Sequence, residues 1–320
     1  MDNSLAYQKI SNHLQTAEKI LLVCHQQPDA DALGSVSALS HWLNDLEKNH
    51  DKFCLNQPAG NLAWLLNFES VITDIDVLPE NNYDTVIVLD SGDLKFAGLA
   101  DYFAGLDNKP FVINIDHHPT NNGFGDINLI DTAAVSTTEI IYNLFRGLRF
   151  KIPPKVANAL LAGIISDTYN FTNPNTSESS LEAAADLLTS GASLTRVSDL
   201  ILRNKSLEML QAWGEILIHL NYNPNFNSVS TVILKKEIDA SLDVTEGVAN
   251  FLNNLTGVKV VIILQQLPDN IVKGSLRTND DLIDVSELAK MLGGGGHRKA
   301  AGFRLNGELV KSEAGQWTII

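Results

Sequence analysis

Three short apolar runs, each leading into residues of the kind that bind metals, constrain this chain more than any other feature. Residues 19–24 (KILLVC) run into His25-Gln26-Gln27-Pro28-Asp29-Ala30-Asp31, residues 85–89 (TVIVL) into Asp90-Ser91-Gly92-Asp93, and residues 111–115 (FVINI) into Asp116-His117-His118-Pro119. Runs that are apolar throughout, without alternation, read as strands buried on both faces, as in a parallel sheet. Between them, the spacing of Leu33, Val36, Leu39, Leu43 and Leu46 predicts a helix over 32–46. Residues 154–166, opening on Pro154, suit a second and largely buried helix. The βαβ pattern gives an α/β fold with a parallel doubly wound sheet. The carboxyl ends of such strands share one edge, so the three acid- and histidine-bearing loops should converge there. Asp167, at the end of the 154–166 segment, can close the cluster.

Each piece also has an ordinary explanation. An aspartate at a strand end forms turns or caps helices, and Asp29-Ala30-Asp31 suits an N-cap with favourable dipole placement. A His-His pair is common on surfaces. The combination is harder to explain that way, because four separate places each put such groups at the end of an element. Asp29, Asp31, Asp90, Asp116 and Asp167 side by side repel one another strongly unless cations offset them. Carboxylates mixed with the imidazoles of His25 and His117 suit a first-row metal, manganese before cobalt or iron, since magnesium and calcium prefer oxygen shells. Two such cations roughly 3.5–4 Å apart can clamp and polarise a phosphoryl group.

The second half reads as helical over about 177–214 and turn-rich over 221–227. Strands follow at 228–234, 258–265 and 271–278, and helices at 245–255 and 284–292. The expected organisation is a metal-binding domain at 1–185, a helical linker at 186–225 and a smaller α/β domain at 226–320, with the active site in the cleft between domains. Taken alone, the run Gly293 to Gly296 suggests a flexible tether, but the apolar Ala300-Ala301-Gly302-Phe303 just beyond argues for a structured loop. Glycines there let a backbone approach a phosphate, with His297 adding a charge-assisted bond. Arg277, at the end of a strand, is a second cation for the same task.

Composition narrows the partners. The chain has 320 residues, 38 acidic against 23 basic side chains and a net charge of −15. Proteins that wrap long duplex DNA present a basic surface, so any nucleic-acid substrate should be short. No stretch approaches the roughly 20 apolar residues of a membrane span. Met1-Asp2-Asn3-Ser4 lacks a signal-peptide pattern, and Cys24 reads as a core residue rather than a disulfide partner. A cytoplasmic enzyme is expected. The sequence does not set the oligomeric state, and a homodimer is compatible with it.

The ordered motifs resemble a known family. His-x-x-Pro-Asp-x-Asp-Ala-x-Gly-Ser at 25–35, the isolated Asp90, Asp-His-His at 116–118, Asp167-Thr168 and Gly-Gly-Gly-Gly-His at 293–297 look like the DHH-family phosphoesterases. The last motif belongs to the DHH-associated C-terminal domain. Length and layout are similar to the compact NrnA-like members, which degrade very short RNAs and dephosphorylate 3′-phosphoadenosine 5′-phosphate (pAp). The resemblance implies hydrolysis of short single-stranded RNA or small nucleotides by a hydroxide activated between two divalent cations, with manganese expected. It implies that His25 and Asp29 bind one metal, that Asp31, His117 and Asp167 bind the other, and that Asp90 bridges both. Asp116 would orient a ligand imidazole, and His118 would face the substrate as the catalytic group. Ser275, Arg277, Thr278, Gly294, Gly295, Gly296 and His297 would hold a terminal phosphate. The same core implies, as rivals, a phosphodiesterase for cyclic di-AMP or its linear product pApA, and a manganese pyrophosphatase. Tyr169 departs from the pattern, since related chains commonly place glycine after the Asp-Thr pair.

Overall fold

The structure, a computed structural model, describes residues 3–66, 70–202, 207–234, 245–312 and 317–320. Internal contacts divide the chain into two units, Met1–Asn204 and Lys205–Ile320.

The first unit contains α1 (Ser4–Thr16), β1 (Lys19–Cys24), α2 (Ala30–Asp45), β2 (Asn49–Phe53), β3 (Val71–Ile72), β4 (Thr85–Leu89), α3 (Ala100–Ala104), β5 (Phe111–Asp116), β6 (Ile127–Ile130), α4 (Thr137–Gly147), α5 (Pro154–Asp167), α6 (Glu178–Thr189) and α7 (Leu194–Leu202). Its six strands are all parallel, in the order β3-β2-β1-β4-β5-β6. This is the doubly wound arrangement expected from the apolar runs. The chain reverses its direction of winding between β1 and β4, which makes the gap beyond their carboxyl ends the natural ligand position.

Strand periodicity sends alternate residues to opposite faces. Ile20, Leu22, Ile87, Leu89, Ile113 and Ile115 enter a core with α1, α2, α4 and α5. Leu21, Val23, Val86, Val88 and Val112 pack on the other face against Leu78, Tyr102 and Phe103. Cys24 and Cys54 are buried free thiols.

The tightest helix contact in this unit is between α2 and α5, and glycine sets it. A Cβ on Gly34 would stand 2.5 Å from the carbonyl oxygen of Ala159, and one on Gly163 would overlap Asp31 Oδ1 and Thr138 Oγ1. The two helices thus approach backbone to backbone at the level of the acidic cluster.

The second unit begins with α8 (Leu207–Leu217), β7 (Asn221–Asn223), β8 (Ser228–Ile233), α9 (Thr245–Leu252) and β9 (Val260–Leu267). It continues with β10 (Ile271–Arg277), α10 (Val285–Met291), β11 (Gly295–His297), β12 (Ala300–Asn306), β13 (Leu309–Lys311) and β14 (Trp317–Ile319). Its main sheet runs β11-β12-β10-β9-β8-β7, antiparallel except for the β8–β9 pair. Ala212 and Ile216 of α8 pack on Ile233, Val248, Leu252, Val261 and Ile263.

One local expectation changes. Residues 221–227 are not only turn, because 221–223 form β7 and the turn at 224–227 closes a hairpin onto β8. The glycine run is structured, as the apolar residues beyond it suggested, because Gly295 and Gly296 pair with Gly302 and Ala301 in a second hairpin. Among the described residues no helix is long and apolar enough to cross a membrane.

The close α2–α5 approach predicts that Gly34→Ala destabilises the first unit by about 1–3 kcal/mol through overpacking. Guanidinium denaturation should show an earlier midpoint, and an unchanged midpoint would contradict the contact.

Candidate metal centre

The three strand-end loops and the end of α5 bring their acids and imidazoles to one place. Among the described residues, three sets of groups each lie with one ligand atom within 4.8 Å of the others: His25, Asp29 and Asp90; Asp31, His117 and Asp167; and Asp90, His117 and His118. Asp90 is common to the first and third sets, and His117 to the second and third.

Local structure fixes each group. Asp29 is the N-cap of α2, accepting from the amides of Asp31 and Ala32, so the capping role and the place in the cluster coexist. Asp31, in the first turn of α2, is fully buried. Its carboxylate meets the N-terminus of α4, accepting from Thr137 N (2.7 Å), Thr138 N (2.9 Å) and Thr138 Oγ1 (2.7 Å). Helix amides stabilise a buried anion there. Asp90 follows β4 directly at φ 55°, a left-handed backbone that a non-glycine residue adopts only when its surroundings enforce it. Its amide donates to Ile115 O, and Thr137 Oγ1 donates to its Oδ1. Asp167 closes α5, its carbonyl accepting from the side-chain Nδ2 groups of Asn173 and Asn175.

Tyr169, Asn170 and Phe171 all have positive φ. Tyr169 therefore occupies a left-handed position that glycine takes without strain, which accounts for the glycine of the family pattern, and nothing in the structure explains the tyrosine.

The spacings fit cations. His25 Nε2 lies 3.8 Å from Asp29 Oδ1 and 3.5 Å from Asp90 Oδ2, and His117 Nε2 lies 3.5 Å from Asp90 Oδ1 and 3.6 Å from Asp167 Oδ2. These separations are too long for good hydrogen bonds, yet the lone pairs converge as they would around a shared ion. His25 Nδ1 is buried with no hydrogen-bond partner. The mixed nitrogen and oxygen donors suit a first-row dication.

The charges agree. Burial, then the charges of Asp90 and Asp29, push the Asp31 carboxyl well above the usual range, against the pull of Thr138. Burial alone would lower the His25 imidazolium, but Asp29 and Asp90 raise it to about 11. Burial would likewise raise Asp90, but His25, His117 and His118 hold it well below the usual carboxylate range. The cluster therefore draws positive charge inward, which divalent cations would supply.

His118 also pairs with Asp116. Asp116 is fully buried and its Oδ1 accepts from His118 Nδ1 at 2.7 Å. Its Oδ2 accepts from Asn121 Nδ2 at 2.7 Å, and Asn121 joins the buried Asn114, which bonds Asn128. Burial would lower the His118 imidazolium, but Asp116 and Asp90 raise it to about 9.

Residues 19–164 match the DHH family, N-terminal domain, and residues 228–315 match the DHHA1 domain. The chain thus carries a DHH N-terminal domain followed by a DHHA1 domain. Proteins similar to it include the bifunctional oligoribonuclease and PAP phosphatase NrnA of Thermus thermophilus, 29% identical over 90% of this chain and 84% of that one. The protein of the same name from Bacillus subtilis is 28% identical over 89% and 88%. An exopolyphosphatase-related protein from Bacteroides fragilis shares the fold at a TM-score of 0.86, with 23% identity over 95% of this chain and 92% of that one.

Within the DHHA1 domain, the residues singled out in sequence separate. Ser275 and Arg277 lie on the less buried face of β10, together with Lys273. Lys273 pairs in register with Arg304 of β12. A cavity of about 310 Å³ is lined by Gly294, Gly302, Lys273 and Arg304, with Gly274, Gly293 and Phe303. Gly294 must be glycine, since a Cβ there would overlap Gly302 O. Gly295, Gly296 and His297 form β11. Thr278 differs, being 1% exposed with its hydroxyl donated to Lys259 O, so it holds the sheet together. Sequence reasoning missed Lys273 and Arg304, which look like ordinary strand cations until the pairing is known. It also missed Thr137, Thr138 and Asn121. The Ser136-x-x-Glu139 spacing announces a helix start, but nothing in it points to Asp31, more than 100 residues earlier.

Thr138→Val removes one of the three hydrogen bonds on Asp31, so manganese affinity measured calorimetrically should fall about tenfold. Unchanged affinity would separate Asp31 from metal binding.

Proposed function

We propose that this DHH-family chain is a manganese-dependent phosphoesterase that hydrolyses short oligoribonucleotides and pAp, using two cations. The observation that carries the reading is the pair of ligand sets joined through Asp90 and His117. The names of the relatives, oligoribonuclease and PAP phosphatase, support the substrate class.

In this reading His25 and Asp29 hold one cation, Asp31, His117 and Asp167 hold the other, and Asp90 touches both. When bound, the cations supply Lewis-acid polarisation of the phosphoryl group and lower the pKa of an attacking water. The rest falls to the protein. Asp116 accepts the Nδ1 proton of His118 and so fixes its tautomer and ring plane. His118 Nε2 is then the atom that stabilises the phosphate or returns a proton to the leaving oxygen. Asn121 locks Asp116 in turn. Ser275 and Arg277, with Lys273 and Arg304 beside the glycine hairpin, are the donors for a terminal phosphate. The proposed organisation is a metal-binding domain at 1–185, a helical linker at 186–225 and a substrate-binding domain at 226–320 that carries this phosphate anchor.

A manganese-supplemented panel of pAp, pApA, a five-nucleotide RNA, cyclic di-AMP and pyrophosphate tests this reading. The wild type should release mononucleotide from pApA and the RNA, and phosphate from pAp. Asp90→Ala should lower turnover by roughly a thousandfold or more, as expected for losing a metal clamp. Arg277→Ala should raise KM about tenfold, from the loss of one charge-assisted bond. Turnover confined to pyrophosphate or cyclic di-AMP would replace the reading.

A further inference from the structure

The α2–α5 pair has a second polar end. The helices run antiparallel, with Asp31 against Gly163 at one end and Gly34 against Ala159 in the middle. Further on, Ser37, Ser40, His41 and Asn44 of α2 face Lys155 of α5 across a hollow of about 150 Å³, with Lys52 of β2 in its wall. At the helical rise of 1.5 Å per residue, this hollow lies roughly 15 Å along α2 from Asp31. It is outside the metal cluster.

Lys52, Lys155, His41, Asn44 and the two serines share the lining with the apolar Leu65, Leu66 and Val156, and among the described residues no acidic side chain lines it. Lys52 and Lys155 make no hydrogen bond or ion pair to any described residue. Asp51, next to Lys52 in sequence, points to the other face of the sheet and accepts from the Tyr83 hydroxyl at 2.8 Å. Burial pushes the Lys52 ammonium down, Asp51 pushes it up, and Lys155 pushes it down again, as expected when two cations border one space. Ser40 is engaged with His50 Nε2 at 2.7 Å, which leaves Ser37, His41 and Asn44 as further donors.

The start of α5 adds two more. Its N-cap is Pro153, which provides no side-chain cap, and the first-turn amides of Lys155 and Val156 have no backbone partner. Such amides are ready-made anion donors. In a chain of net charge −15, a hollow with two lysines, uncapped helix amides and no carboxylate among the described residues is suited to an anion. Its volume equals about five water molecules at ~30 Å³ each, enough for one tetrahedral oxyanion and its nearest waters.

We propose that this hollow is a second phosphoryl-binding site, separate from the metal centre, that takes one phosphate group through Lys52, Lys155, Ser37 and the first-turn amides of α5. The group is either inorganic phosphate or the phosphate of a 5′-mononucleotide whose sugar and base remain outside.

Equilibrium dialysis of the manganese-loaded full chain against radiolabelled inorganic phosphate, and separately against radiolabelled AMP, tests the site. Wild type should bind one more phosphate per chain than the Lys52→Gln/Lys155→Gln double variant. Lys155→Gln alone should weaken that class about tenfold. Lys155 is exposed at the first turn of α5, so this single change keeps the test valid should the double variant misfold. Turnover of pApA should stay within about twofold in both, since neither lysine touches the cluster. Competition by AMP for the same class assigns it to a nucleotide phosphate, and binding of phosphate without AMP assigns it to the free ion. Identical phosphate stoichiometry and affinity in wild type and Lys155→Gln would overturn the site.

Discussion

Mutual repulsion of buried carboxylates governs this molecule. Asp31, Asp90 and Asp116 are all essentially inaccessible, yet they stand at one edge of one sheet. Each survives burial through a different device. Asp31 sits on the N-terminus of α4, Asp90 between two imidazoles and the Thr137 hydroxyl, and Asp116 between His118 and Asn121. These devices locate the charges without neutralising the whole cluster. In the proposed reading neutralisation falls to cations, which the imidazole–carboxylate gaps of 3.5–3.8 Å would admit. The glycines of α2 and α5 belong to the same solution, because Gly163 leaves room for Asp31 to reach α4.

Much of the first sheet was legible because its central strands are buried on both faces. The runs at 19–24, 85–89 and 111–115 needed no partner to be recognised, and their polar terminators marked the functional edge. The elements that escaped notice lie at the margins. β2 has the sequence Asn-His-Asp-Lys-Phe, polar because His50 and Lys52 face a partly open side of α2, so hydropathy alone gives no strand. β3 is two residues long. α1 has only Ile10 and Leu14 fully buried, too thin a stripe to stand out.

The cluster itself was legible as a list of candidate ligands, since each follows its strand or helix directly in the chain. The groups that orient those side chains were not. Thr138 is 107 residues from Asp31, and Asn121 is one asparagine in a polar loop until Asn114 and Asp116 are seen beneath it. Such contacts depend on tertiary proximity, which a single sequence does not encode in any local pattern. The glycine run shows the converse. Its composition suggests a tether, but Gly294 and Gly296 are glycine because β12 passes too close for a Cβ, a packing reason seen only across the hairpin.

Anomalous diffraction at the manganese edge, from crystals of the full chain grown with manganese, tests the central claim most directly. The account predicts two peaks, one against His25 and Asp29 and the other against Asp31, His117 and Asp167, with Asp90 in contact with both. A single peak, none at all, or peaks removed from Asp90 would contradict it.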